Sequence, residues 1–219
     1  MIGAIFDIDG TLLDSMSIWE EAGIRFLNSL GITPRPDYRD VVFEMSMEES
    51  TEYTRKEYNL SLSTEEVKEG ILRVIHDFYY YEVDLKPGVP AFLSYLKDRQ
   101  IPMIIASSGH RDYIEASLKR LGIRQYFSGI ITCTEAGAGK HQPLVYQMAA
   151  ENIGCPIKNC LVFEDVFHAI HTAKEAGFIT VGIYDSISES YEGSIREESD
   201  LYLHDFSQLF VFADFLKTL

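Results

Sequence analysis

A chain of 219 residues with three cysteines and a formal charge of −15 is long enough to bury roughly 70% of its unfolded surface and so to build an enzyme-sized core. That acidity argues against nucleic acid and against anionic membrane, because both would repel such a surface at long range. No uncharged apolar run approaches the roughly 20 residues of a membrane helix, and an odd cysteine count, with no charged and apolar leader before the first motif, predicts a reduced, cytoplasmic protein.

The first apolar run, "IGAIFDID", ends in Asp7 and Asp9, one residue apart and followed at once by Gly10 and Thr11. Two carboxylates that close repel one another, and a bound cation with a phosphoryl group would relieve the repulsion. From Met16 to Val83 the chain changes character. "DSMSIWEEAGIRFLNSLGI" carries Trp19, Ala22, Phe26 and Leu30 at helical spacing and stops at Gly31. "STEEVKEGILRVIHDFYYY" opens with the capping-box pair Ser63 and Glu66 and sets Val67, Ile71, Val74 and Phe78 on one face. The block shows no strand pattern, so residues 16–83 are expected to form a helical lobe inserted into a core of residues 1–15 and 84–219. Such a lobe can act as a lid.

From Gly88 onward short apolar runs alternate with helical patterns. "IPMIIAS" precedes a helix with Ile114, Leu118 and Leu121 on one face, stopped by Gly122. "SGIITC" precedes a helix near 143–153 closed by Gly154, and "NCLVFED" precedes another near 166–176 closed by Gly177; "ITVGIYD" follows. Five strands alternating with helices predict an α/β fold, a doubly wound parallel sheet covered on both faces.

Ligands of such sheets sit beyond the carboxyl ends of the strands. The first strand ends in Asp7 and Asp9, the second in Ser107 and Ser108, and the "CLVF" strand in Glu164 and Asp165, with Lys140 in the loop after "GIITC". Four acids with one lysine are unbalanced, and magnesium, which takes a few hard oxygen ligands, restores the balance. With the cation shared between Asp7, Glu164 and Asp165, Asp7 presents its other oxygen to phosphorus. Asp9 is left for proton transfer. Lys140, the Ser107 hydroxyl and backbone amides near Ser108 hold the non-bridging oxygens.

Each element has a plainer reading on its own. Asp-x-Asp-Gly suits a turn, the serine pair suits a helix cap, and "FED" suits a helix start. It is the ordered set that carries the argument. "GAGK" fails as a nucleotide loop, which needs glycine where Thr134 stands and Ser or Thr where His141 stands. His168 and His171, lacking a third ligand, read as surface residues, and Cys155 and Cys160 lack a second pair with zinc spacing. Lobe packing is the default for Trp19 and Tyr79 to Tyr81, and Trp19 with Glu20 is the candidate pair for facing a substrate.

These residues resemble the haloacid dehalogenase superfamily, and within it the phosphatase and β-phosphoglucomutase-like branch. "DIDGTLLDS", "IIASS", "GKHQP" and "FEDVFHAIHTAKEAG" look like its four motifs in order, over nearly the whole chain. The resemblance implies a core with a helical cap, an aspartyl-phosphate on Asp7, acid/base work by Asp9, and magnesium held by the Asp7 carboxylate, the Asp9 main-chain carbonyl and Asp165, with Glu164 close by. Two departures stand out: His141 replaces the first proline of the usual Lys-Pro-x-Pro, and Val166 stands where a small hydroxyl residue is common.

The mutase of that branch grips a second phosphate with a histidine, an arginine and a lysine. The aligned positions here are Trp19, Met47 and Phe43, none of which can do so. The reading is therefore a magnesium-dependent phosphatase of a small sugar or polyol phosphate. The alternatives are a sugar phosphate mutase, more weakly a dehalogenase, and from another class a receiver-like module that accepts one phosphoryl group per chain.

Overall fold

The computed structural model describes residues 1–43 and 45–219. Its centre is a parallel sheet of β1 (Gly3–Phe6), β2 (Met103–Ser107), β3 (Ile130–Thr132), β4 (Cys160–Glu164), β5 (Ile179–Ile183) and β6 (Leu201–Leu203), in the order β3-β2-β1-β4-β5-β6. The chain winds outward from β1 to β3, then returns to the middle and winds the other way. Between β1 and β4 lies the switch point where an open sheet leaves a crevice at its carboxyl edge. Phe6 pairs with Ile105 on one side and with Phe163 on the other.

Every residue of β1, β2 and β4 is buried, as a sheet covered on both faces requires. Alternate side chains reach opposite faces. On one face Phe6 stacks on Phe163 at 4.3 Å between centroids, within an aromatic layer completed by Phe92, Phe206 and Phe212. On the other, Ile5, Ile104, Ala106 and Val162 pack with Val145, Tyr146 and Ala149.

The chain divides into two compact units, residues 1–15 with 83–219 and residues 16–82, so that Val83 falls with the sheet. The smaller unit holds α1 (Ser17–Ser29), α2 (Tyr38–Phe43), α3 (Met47–Glu57) and α4 (Thr64–Asp77), followed by a π-helical turn at Phe78–Glu82. Capping boxes start α3 at Ser46 with Glu49 and α4 at Ser63 with Glu66. The buried stripe of α4 is Val67, Ile71 and Ile75, and that of α1 is Ile18, Ala22, Phe26 and Leu27. Trp19 and Leu30 therefore fall off the α1 stripe, and Trp19 is 49% exposed. A Cβ on Gly70 would meet the Phe26 ring at 2.2 Å, so glycine is what allows α4 to approach α1 this closely.

In the larger unit the helices are α5 (Val89–Asp98), α6 (Arg111–Arg120), α7 (Cys133–Ala136), α8 (Leu144–Asn152), α9 (Phe167–Glu175), α10 (Glu192–Glu198) and α11 (Leu209–Leu216). Among the described residues no helix is long and apolar enough to cross a membrane.

Candidate active site

The Asp7 amide donates to the Phe163 carbonyl at 3.0 Å, carrying the ladder one residue past β1. The chain then turns sharply. The Ile8 carbonyl accepts from the amides of Leu12 and Leu13, both at 2.9 Å, and Gly10 adopts φ 76°, a left-handed conformation natural to glycine. This turn sets Thr11 beside β4, where its hydroxyl donates to Asp165 Oδ1 at 3.0 Å.

Beyond the ends of β1 and β4, the buried carboxylates of Asp7, Glu164 and Asp165 each bring an oxygen within 4.8 Å of the others. Lys140, also buried, donates from Nζ to Asp7 Oδ1 and, at 2.6 Å, to Glu164 Oε1. The Tyr146 hydroxyl donates to that same Glu164 oxygen at 2.7 Å. Burial pushes Glu164 up to about 7 against the pull of Lys140, and burial with its acidic neighbours pushes Asp165 well above the usual carboxylate range. Burial works against the charge of Lys140, yet Asp7 and Glu164 hold its pKa above the ordinary lysine value.

With all three ionised, three carboxylates against one ammonium would leave two negative charges uncompensated. Among the described residues, Glu164 Oε2 and Asp165 Oδ2 are buried with no hydrogen-bond partner, a state that costs free energy unless something else binds them. A divalent cation with hard oxygen preferences supplies both the missing charge and the missing partner. The donor set therefore fits such an ion.

Asp9 lies on the other side of the turn, where its Oδ1 accepts from the Ser15 hydroxyl at 2.7 Å. A Cβ built on Gly109 would stand 3.0 Å from Asp9 Oδ2 and 3.3 Å from Ser107 Oγ, so Asp9 and Ser107 flank the same small space. Ser107 is buried, and its Oγ accepts from the Gly109 amide at 3.0 Å. Ser108 is separate: its exposed side chain meets Cys133 Sγ at 3.3 Å rather than any of the acids.

The Lys140 loop turns on a bond from the Gln142 amide to the Gly139 carbonyl at 3.0 Å and leads into α8 at Pro143. His141 points outward, so losing proline there leaves the lysine in place. Val166 occupies the N-cap of α9 with extended backbone and no side-chain cap. The supporting hydrogen bond that a hydroxyl residue would make is absent. His168 and His171 are exposed, and His171 pairs with Glu198 at 3.1 Å. Within the helical unit, Glu20 pairs with Arg39 at 3.4 Å.

Thr11, Gly109 and Tyr146 escaped the reading of the sequence. Thr11 had a signal, since it follows the two aspartates directly. Tyr146 had almost none, because it falls on the apolar face of a helix and reads as core.

A family model described as haloacid dehalogenase-like hydrolase matches residues 4–183. The chain belongs to that family. It is 27% identical over 211 residues to a validoxylamine A 7'-phosphate phosphatase of Streptomyces hygroscopicus subsp. limoneus, covering 94% of both chains. It is 26% identical over 179 residues to hexitol phosphatase B of Escherichia coli K12, covering 80% of each. The crystal structure of a putative β-phosphoglucomutase from Thermotoga maritima shares the fold, with a TM-score of 0.87 at 23% identity over 98% of this chain and 99% of that one.

Proposed function

We propose that this chain is a cytoplasmic, magnesium-dependent phosphatase that hydrolyses a small sugar or polyol phosphate through an aspartyl-phosphate on Asp7. The observation that carries the reading is the buried trio Asp7, Glu164 and Asp165, bound on one side by Lys140 and left with two unpartnered oxygens on the other. Relatives named as phosphatases of a hexitol and of validoxylamine A 7'-phosphate support the substrate class. Three free thiols agree with a reducing compartment.

Asp7, Glu164 and Asp165, with the main-chain carbonyl of Asp9, would hold the magnesium, which when bound supplies positive charge to the phosphoryl oxygens. Asp7 attacks phosphorus through its free oxygen as the ester oxygen leaves, and Asp9 gives that oxygen its proton. Asp9 then takes a proton from water. The water oxygen bonds to phosphorus, the bond to Asp7 breaks, and inorganic phosphate departs. Lys140 and the Ser107 hydroxyl, with amides near Ser108, match the charge on the non-bridging oxygens. Trp19 and Glu20 are proposed to contribute to substrate choice. Hydrolysis is favoured over phosphoryl exchange because Trp19, Met47 and Phe43 offer no second phosphate grip.

The test is phosphate release from sugar, polyol and nucleotide monophosphates, with magnesium and with chelator. Magnesium-dependent release with a preference inside the panel is expected. Conversion of β-glucose 1-phosphate to glucose 6-phosphate without release would overturn the hydrolase reading in favour of the mutase, and a single phosphoryl group retained per chain would favour the receiver-like module.

A further inference from the structure

We infer that Tyr146 is a positioning residue for the cation site: its hydroxyl holds one oxygen of Glu164 so that the other stays open to the metal. The inference rests on the cation reading above and adds a residue to it.

Tyr146 is fully buried on α8, within a layer whose other members around it, Val145, Ala149, Val162 and Phe178, are apolar. A phenyl ring would fill the same volume. Burying a hydroxyl there is unfavourable unless the hydroxyl is bonded, and its bond runs to Glu164 Oε1 at 2.7 Å. Lys140 donates to the same oxygen at 2.6 Å, while Oε2 has no partner.

Two donors therefore converge on one carboxylate oxygen. The terminal torsion of a glutamate is broad, so an ammonium alone would donate equally well to either oxygen, and the carboxylate could swing Oε2 toward Lys140. The phenol removes that freedom, because its ring is held by packing, including an edge contact with Phe178 at 6.0 Å between centroids. The Thr11 hydroxyl acts on Asp165 in the same way, engaging Oδ1 and leaving Oδ2 unpartnered. Each of the two acids thus has one oxygen tied down by a hydroxyl and one left over. Groups that orient metal ligands in this manner commonly contribute 10- to 100-fold to affinity.

The experiment is calorimetric titration of the full chain with Mg2+ in the absence of substrate. Tyr146→Phe is expected to bind Mg2+ about 10- to 100-fold more weakly than wild type, to require correspondingly more Mg2+ for half-maximal activity, and to regain most of its kcat at saturating Mg2+. In a cycle with Glu164→Gln, the double variant should lose little beyond the Glu164→Gln loss, since Tyr146 acts through that side chain. Cys160→Ala, which disturbs the same core at the opposite end of β4 from Glu164, should lower the melting temperature without weakening Mg2+ binding. Affinity in Tyr146→Phe within twofold of wild type, or additive losses in the cycle, would overturn the inference while leaving the cation reading intact. Wild type without saturable Mg2+ binding would overturn that reading and this inference with it. Should Tyr146→Phe fail to fold, the wild-type signal of Cζ-labelled Tyr146 serves instead: a shift on adding Mg2+ supports the inference and none overturns it.

Discussion

Removing the cation should make the stability of this enzyme fall as pH rises. Burial raises the Glu164 carboxyl to about 7, whereas an unfolded glutamate titrates near 4.3. Between those values the folded chain binds the extra proton, so stability is greatest below the unfolded pKa and is lost as pH climbs through 7. The full gap corresponds to roughly 4 kcal/mol at about 1.4 kcal/mol per unit, of which roughly 3 kcal/mol falls between pH 5 and pH 8. For a chain of this size that is a fall in melting temperature of roughly 6–12 °C between pH 5 and pH 8. Asp165, raised in the same direction, adds to the slope. The acids lowered by capping boxes, Glu49 and Glu66, titrate below this window and leave it undisturbed.

Magnesium should offset the trend, because it would take the oxygens that protons otherwise occupy. At a fixed concentration about 100 times its Kd at pH 8 it should add about 2.7 kcal/mol there, and less at pH 5, where protons compete for the same oxygens. Thermal melts followed by circular dichroism, in chelator and at that one Mg2+ concentration, measure both slopes. A chelated protein whose melting temperature is flat or rises from pH 5 to pH 8, or a magnesium gain of equal size at both ends, would refute the account of the acid cluster.

Four further outcomes follow from the same geometry. Asp9→Ala should cut turnover by a factor on the order of 10² to 10⁴ by removing the proposed proton carrier, as read by steady-state phosphate release; unchanged turnover sinks its role. Lys140→Met leaves the buried acids without their counter-charge and should cost about 3 kcal/mol in urea unfolding at pH 8 in chelator, with a smaller loss at pH 5 where protons replace the ammonium. Gly109→Ala sets a methyl 3.0 Å from Asp9 Oδ2 and should lower kcat about tenfold through misplacement, with an unchanged far-ultraviolet spectrum. Val166→Thr supplies the missing cap of α9 and should raise stability by about 1 kcal/mol, visible as a gain of roughly 2–4 °C in melting temperature.

The parallel core was legible because its strands are short apolar runs that end abruptly in polar residues. β1, β2 and β4 are buried on both faces, so nothing polar interrupts them, and the residues that end them are the ones the crevice collects. β6 was not legible: Leu201–Leu203 is three residues at a sheet edge with only Leu203 buried, too short for any periodicity to register. In the helical unit α3 was missed because its buried residues are Thr51 and Thr54, which carry no hydrophobic signal. On α1 the expected Ala22 and Phe26 are buried, but Trp19 attracts attention by size while Ile18 takes the buried place, and Leu27 rather than Leu30 completes the stripe. At the site, charge announced Asp7, Lys140, Glu164 and Asp165. The hydroxyls of Thr11 and Tyr146 did not announce themselves, because a hydroxyl in an apolar pattern shows its purpose only when its partner is seen across the fold.

The central place of β1 also shapes how the chain is made. Of the six strands of this sheet it is made first, with both edges unpaired, and its partners at Ile105 and Phe163 are synthesised far later. Unpaired apolar edges invite aggregation. The helical block, by contrast, meets its own partners within residues 16–82 and has no reason to wait. A nascent or truncated chain that stops short of β4 carries Asp7 but neither Glu164 nor Asp165, so its acid trio is incomplete while its apolar edge is open. Asp7 is translated early, and the acid trio it belongs to is complete only when the far half of the sheet has been delivered.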